Sequence, residues 1–170
     1  MKRITEVSEH EANWKGCWEY VLQAGEDLIG ALRLKAGHVT QGTAESAHGN
    51  WRFRKKWFPR EKVIVYQEDS GTKLAVFKTR WGREKGLLEF TDGHVYQWLS
   101  KSVWRNKCVF TDAFGEHLLY FRRNSNPLSI LAVPKGYSTG TVEITRFGLY
   151  MSELPVLMLL GCYLMIIDAI

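Results

Sequence analysis

Two groups of side chains in this 170-residue sequence have types and spacing that could do chemistry. The first is Asn50-Trp51-Arg52-Phe53-Arg54-Lys55-Lys56-Trp57-Phe58-Pro59-Arg60-Glu61-Lys62, with six bases and one acid across residues 52–62. Under strand alternation Trp51 and Phe53 face one side while Arg52 and Arg54 face the other. Arginine and lysine on such a face can hold phosphate oxygens while the aromatics rest at a membrane interface. Each base near an anionic surface contributes about 1 kcal/mol. The plainer reading is a solvated strand exterior whose aromatics point into a core. Bases recur at Lys78, Arg80, Arg83, Lys85, Lys101, Arg105 and Lys107, alongside Trp81, Trp98 and Trp104. Whether they join the first run at one rim depends on the fold. The candidates for lipid or phosphate binding are Arg52, Arg54, Lys55, Lys56, Arg60, Lys62, Lys101 and Arg105.

The second group is Cys108, Asp112, His117, Asp92 and His94. Cys108 and His117 fall on runs that look like paired strands, so a thiol–imidazole contact is conceivable. The plainer reading makes Cys108 a small core residue among apolar neighbours and places both aspartates in hairpin turns, where Asx geometry explains them. No Ser-His-Asp spacing, phosphate-binding loop or dinucleotide fingerprint supports catalysis, so no catalytic residue is assigned and the chain reads as non-enzymatic. Cys17, Cys108 and Cys162 are far apart with no CxxC pair, which supports neither a disulfide scaffold nor a zinc site. His38 and His48 flank a Gly/Ala/Thr-rich stretch that reads as loop. No metal or other cofactor is assigned.

Charge points the same way as the first group. The net charge is +5, but residues 51–107 hold 14 Lys+Arg against 6 Asp+Glu, a local +8, leaving −3 for the rest. Such polarity draws anions to the central segment. Nucleic acid competes with lipid as that anion, yet no recognised nucleic-acid motif is present. The N-terminal MKRITEVSEHEANW carries three acids before residue 12 and no apolar stretch, so it does not read as a secretory signal. With unpaired cysteines this implies a cytoplasmic setting, with peripheral membrane contact as the extension.

The elements that must position these residues are strands. With 45% hydrophobic and 24% charged residues, the chain has the composition of one folded domain. Between residues 16 and 146 the pattern is short alternating runs bounded by Gly, Asp, Asn or Ser. The expected strands are Gly16–Gln23, Leu28–Lys35, Thr43–Ser46, Asn50–Arg54, Lys62–Glu68, Lys73–Thr79, Gly86–Thr91, His94–Ser100, Lys107–Thr111, His117–Arg123, Leu128–Val133 and Thr141–Arg146. The turns EDSG (68–71), TDGH (91–94) and DAFGE (112–116) supply the residues that tight hairpins need. An internal repeat is visible: Gly71-Thr-Lys-Leu74-Ala-Val-Phe77-Lys78 aligns with Gly115-Glu-His-Leu118-Leu-Tyr-Phe121-Arg122, and Gly25-Glu-Asp-Leu28 is a weaker copy. Sheets with this many strands usually close, because closure removes exposed edges.

From Leu154 to Ile167 the chain carries no charge, with Ser152 available as helix N-cap and Glu153 complementing the helix dipole. The run is apolar all round, so it needs enclosure on every side, by protein or lipid. At ~1.5 Å per residue it spans roughly 21 Å, short of the ~30 Å hydrocarbon core of a bilayer. Protein is the favoured enclosure, and a tail anchor is the alternative.

Three features together carry a resemblance: the hairpins KVIVYQEDSGTKLAVFK (62–78) and KCVFTDAFGEHLLYFR (107–122), the stretch LLEFTDGHVYQW (87–98), and the terminal SELPVLMLLGCYLMIIDAI. In these the chain resembles the tubby C-terminal-like superfamily, which includes the tubby, phospholipid scramblase and LURP-one-related families. The resemblance implies a closed, roughly twelve-stranded antiparallel barrel around a central hydrophobic helix. It spans residues 16–170, with the helix at about 152–168 and residues 1–15 as an N-terminal segment. It also implies binding of phosphoinositide or other anionic phospholipid headgroups. The alternative is a scaffold or regulatory domain whose basic face meets an acidic protein partner. The scramblase family's acidic calcium-binding segment before the last helix is replaced here by Arg146-Phe-Gly-Leu-Tyr-Met-Ser-Glu153, which argues against calcium-activated scrambling.

Overall fold

The computed structural model describes residues 1–3, 11–35, 38–58, 60–80, 85–102, 105–124 and 137–168. Twelve strands follow in chain order: β1 (Glu11–Cys17), β2 (Glu19–Ala24), β3 (Asp27–Lys35), β4 (His38–Ser46), β5 (Gly49–Lys56), β6 (Lys62–Gln67), β7 (Lys73–Arg80), β8 (Lys85–Phe90), β9 (Val95–Ser100), β10 (Lys107–Thr111), β11 (His117–Arg123) and β12 (Tyr137–Ile144). Each pairs antiparallel with its sequence neighbours, and β1 pairs with β12 to close the barrel. A 3-10 turn (Gly148–Tyr150) then leads into helix α1 (Leu154–Ile167).

Alternation explains the strands. In β2, Tyr20, Leu22 and Ala24 point inward and Glu19, Val21 and Gln23 outward; in β5, Trp51 and Phe53 point inward between Arg52 and Arg54. The lumen these inward residues create is filled by α1, all fourteen of whose residues are buried. Phe53 lies against Tyr163 at 5.2 Å between ring centroids, and Trp98, Phe110 and Phe121 form a tilted triad at 4.7–5.9 Å. Gly161 faces Phe121 so closely that a Cβ there would sit 2.1 Å from the ring. Enclosure by the protein's own barrel is therefore the fate of the apolar segment, and no helix among the described residues is long and apolar enough to cross a membrane.

The repeat is visible as three equivalent hairpins. β2–β3, β6–β7 and β10–β11 each carry a register shift beside the turn, and each turn places a glycine at positive φ: Gly25 (57°), Gly71 (66°) and Gly115 (89°). The extra residue of a bulge increases twist and curvature, as a closing sheet requires.

Local expectations needed correction in five places. The Gly/Ala/Thr-rich stretch between His38 and His48, expected as loop, is largely strand β4, paired with β3 and β5. The run Gly16–Gln23 is two strands, β1 and β2, reversed at a single residue, Trp18, with φ of 66°. Gly16 permits this because the Glu19 carbonyl oxygen comes within 1.9 Å of where a Cβ would stand. A tryptophan at a left-handed turn carries no turn signal, so the reversal was invisible in the residue pattern. The barrel accordingly starts at Glu11 rather than residue 16. The last strand is displaced, Tyr137–Ile144 against Thr141–Arg146, and the expected strand Leu128–Val133 lies outside the described residues. Ser152 is not the N-cap; Glu153 is, without a side-chain cap bond, its carboxylate being engaged instead by His94 and Ser152.

Candidate functional site

In an up-and-down barrel, connections alternate between two ends. Those after even-numbered strands lie at the end where α1 enters, here the entry end, and those after odd-numbered strands lie at the opposite, far end. This sorts the charge. The far end collects Lys35, Lys56, Arg60, Lys62, Lys85, Lys101, Arg105, Lys107 and Arg123 against Glu19, Glu61 and Asp168. The entry end collects Glu26, Asp27, Glu68, Asp69, Asp92, Asp112, Glu116 and Glu153 against Lys2, Lys73 and Arg146, Lys2 lying 2.9 Å from Asp27.

At the far end the bases of β5, β6 and β7 come into register. Lys56 lies directly opposite Lys62, and Lys62 directly opposite Lys78, all on the outer face. Like charges in directly opposed positions cost stability. Lys78 is relieved by an ion pair with Glu89. Among the described residues no ion pair holds Lys56, Arg60 or Lys62. Beside this row a surface hollow of about 470 Å³ is lined by Arg60, Glu61, Lys62, Lys78, Thr79, Leu87 and Glu89. The same β5–β6 connection projects Trp57 (54% exposed) and Phe58 (88% exposed) into solvent. Basic side chains and protruding aromatics thus share one loop.

The remaining candidates separate. Arg52 sits nearer the entry end, paired with Glu68 at 3.4 Å and over the Tyr66 ring at 5.5 Å. Arg54 is exposed on the outer face between Gln41 and Ile64. Lys55 follows the inward alternation of Trp51 and Phe53; its ammonium is buried, 2.6 Å from Glu61 and 4.1 Å from the Trp57 ring centroid, so it braces the loop. Lys101 and Arg105 reach the far end in the β9–β10 connection, Lys101 exposed and Arg105 half-buried. Arg83, Trp81 and Trp104 lie outside the described residues. Arg123 turns inward, donating from Nη1 to the Met165 carbonyl at 2.9 Å, where a cation complements the C-terminal end of α1. Burial lowers its guanidinium below the usual value, offset in part by Asp168.

The thiol–imidazole contact is not formed. Cys108 is the second residue of β10, near the far end and opposite Phe121, whereas His117 begins β11 at the entry end. Burial pushes the Cys108 thiol up to about 12, so it stays protonated. His117 Nδ1 is bonded to the Tyr120 hydroxyl instead. Asp92 and Asp112 do cap their turns: Asp92 Oδ1 accepts from the His94 N–H at 3.1 Å, and Asp112 Oδ1 from the N–H groups of Phe114 and Glu116 at 2.9 and 2.8 Å.

One group of potential metal-ligand types was not anticipated. Asp92, His94 and Glu153 bring one ligand atom each within 4.8 Å of one another. His94 Nδ1 is bonded to Glu153 Oε1, which with the Asp92 charge raises the imidazole above its usual value. Burial acts to raise Glu153, but hydrogen bonds from Ser152 and His94 outweigh it and leave the carboxyl below its usual range. The contact between His94 Nδ1 and Glu153 Oε1 already occupies two of the three ligand atoms with each other. It joins the β8–β9 turn to the start of α1, a contact between residues 59 positions apart that no local pattern announces.

No protein-family model, curated protein or solved structure matches this chain.

Proposed function

We propose that this protein is a non-enzymatic binding domain that docks at the cytoplasmic surface of a membrane, its far end taking phosphoinositide or other anionic phospholipid headgroups. The observation that carries the reading is the opposed lysine row, Lys56, Lys62 and Lys78, beside Arg60 and the exposed Trp57 and Phe58. A sheet that sets like charges face to face gives up stability, and an anion seated among them returns it. Tryptophan favours the headgroup level of a bilayer, where its ring sits between wet and apolar layers. Lys56, Arg60 and Lys62 at about 1 kcal/mol each supply about 3 kcal/mol, roughly a hundredfold in partitioning at low salt. A twelve-stranded barrel around a C-terminal helix is also what the resemblance to the tubby-like superfamily implies, which supports a lipid-directed role.

Flotation with vesicles of phosphatidylcholine alone, with added phosphatidylserine and with added phosphoinositide tests the proposal. Binding is expected only to the anionic vesicles, falling as salt rises. The triple variant Lys56→Gln, Arg60→Gln, Lys62→Gln should bind about a hundredfold more weakly. A folded sample that ignores all three vesicle types at physiological salt ends the lipid reading.

A further inference from the structure

The entry end is the far end's counterpart in charge, and it too exposes large aromatics. Phe114 is 97% exposed between Asp112 and Glu116, and Phe147 and Tyr150 are 59% and 82% exposed. Phe114 is held outward by an ordered turn, because Asp112 Oδ1 accepts from both the Phe114 and the Glu116 N–H groups. The segment bearing Phe147 and Tyr150 is fastened to the adjoining strand: Thr145 donates from its N–H to the Leu118 carbonyl at 3.0 Å and from its hydroxyl to the His117 carbonyl at 2.8 Å. An acidic rim with fixed apolar knobs thus faces away from a basic rim with knobs of its own, Trp57 and Phe58 between Lys56 and Arg60.

We propose that these two ends bind each other between copies, the basic far end of one molecule seating on the acidic entry end of the next. The surface complementary to each end is on the same chain, so the partner is a second copy. Because the two surfaces differ, the contact is heterologous: a pair keeps one free end of each kind, one on each copy, and association extends into short columns. Desolvated aromatics at the contact centre supply the affinity, while opposite charges at the rim set orientation and make it salt-sensitive. The inference stands apart from the lipid reading, although vesicles and a second copy would compete for the far end.

Sedimentation velocity on the full chain, at low and high salt over a concentration series, is the first measurement. The mass should rise with concentration at low salt and return to 19.6 kDa at high salt. Two blocked variants make the second. Phe114→Ser with Glu116→Lys disables the entry end and leaves the Asp112 cap; Lys56→Glu with Arg60→Glu disables the far end. Each should be monomeric alone, and mixing them should give a one-to-one dimer that grows no further. A wild type that stays monomeric at low salt overturns the proposal, as does a blocked variant that self-associates or a mixture that does not pair. A monomeric wild type whose entry end captures polylysine also overturns it, assigning that end to a basic partner instead. The entry-end variant should float with anionic vesicles as the wild type does, so this inference can fail while the lipid reading survives.

Discussion

His94 and Glu153 form an ion pair whose contribution depends on pH in a defined direction. His94 is raised in the folded chain, so its stabilisation is complete below its ordinary 6.5 and is lost as pH climbs past the folded value. Glu153 is lowered, so its stabilisation is complete above its ordinary 4.5 and is lost as pH falls past the folded value. The pair therefore contributes most between pH 4.5 and 6.5. Urea midpoints of wild type and His94→Gln should differ most in that window and converge at higher pH; a difference that is flat with pH would remove the pair from the stability of the helix entry. Lys55 and Glu61 behave differently because their burial is unequal, 3% against 18% side-chain exposure. Glu61→Gln strands a buried ammonium and should cost about 3 kcal/mol in urea unfolding, whereas Lys55→Met leaves a partly solvated carboxylate and should cost clearly less. Equal losses would contradict this assignment of the charge at the base of the loop.

Among the elements, α1 is fitted to the barrel by what it lacks as well as by what it buries. Alanine in place of glycine within a helix ordinarily gains about 1 kcal/mol. At Gly161 the sign should reverse, because a Cβ would stand 2.1 Å from the Phe121 ring and such overpacking costs about 1–3 kcal/mol. Gly161→Ala should lower the thermal midpoint, and the same change in a Phe121→Leu background should be tolerated better. Additive effects of the two changes would mean that the ring does not set the helix position. The three bulged hairpins act at the same scale, since each bends the sheet where closure demands it.

For the molecule as a whole, the helix and the cylinder are interdependent. A chain ending at Glu153 keeps every strand but loses fourteen buried residues from the lumen. At ~1.5–3 kcal/mol for each large aliphatic side chain, that loss exceeds the 5–15 kcal/mol by which domains are normally stable. The truncated chain should show no cooperative unfolding and should aggregate. A soluble, folded truncation would instead fit an anchor helix and a self-sufficient barrel. Charge is the other property of the whole: neither rim is assembled by one hairpin, and each depends on up-and-down connection around a closed sheet.

Strand identity and helix enclosure were legible in the residues because both are local: a period of two makes one face apolar, and an uncharged, all-apolar helix cannot face water on any side. The Asx turns at Asp92 and Asp112 were legible for the same reason. Register was not. Counting back from the centre of the EDSG turn pairs Lys62 with Phe77; the bulge between Val65 and Tyr66 adds one step and sets Lys62 opposite Lys78. That single residue adds Lys78 to the row that the unshifted β5–β6 register begins with Lys56 opposite Lys62, and the inward turn of Lys55 withdraws a base that the run of charge had counted in. The meeting of the β5–β6 and β9–β10 connections at one end, and of His94 with Glu153 at the other, was decided only by the closed tertiary structure. Closure, register and bulges are set by contacts between distant residues, whereas side-chain periodicity reports only on near neighbours.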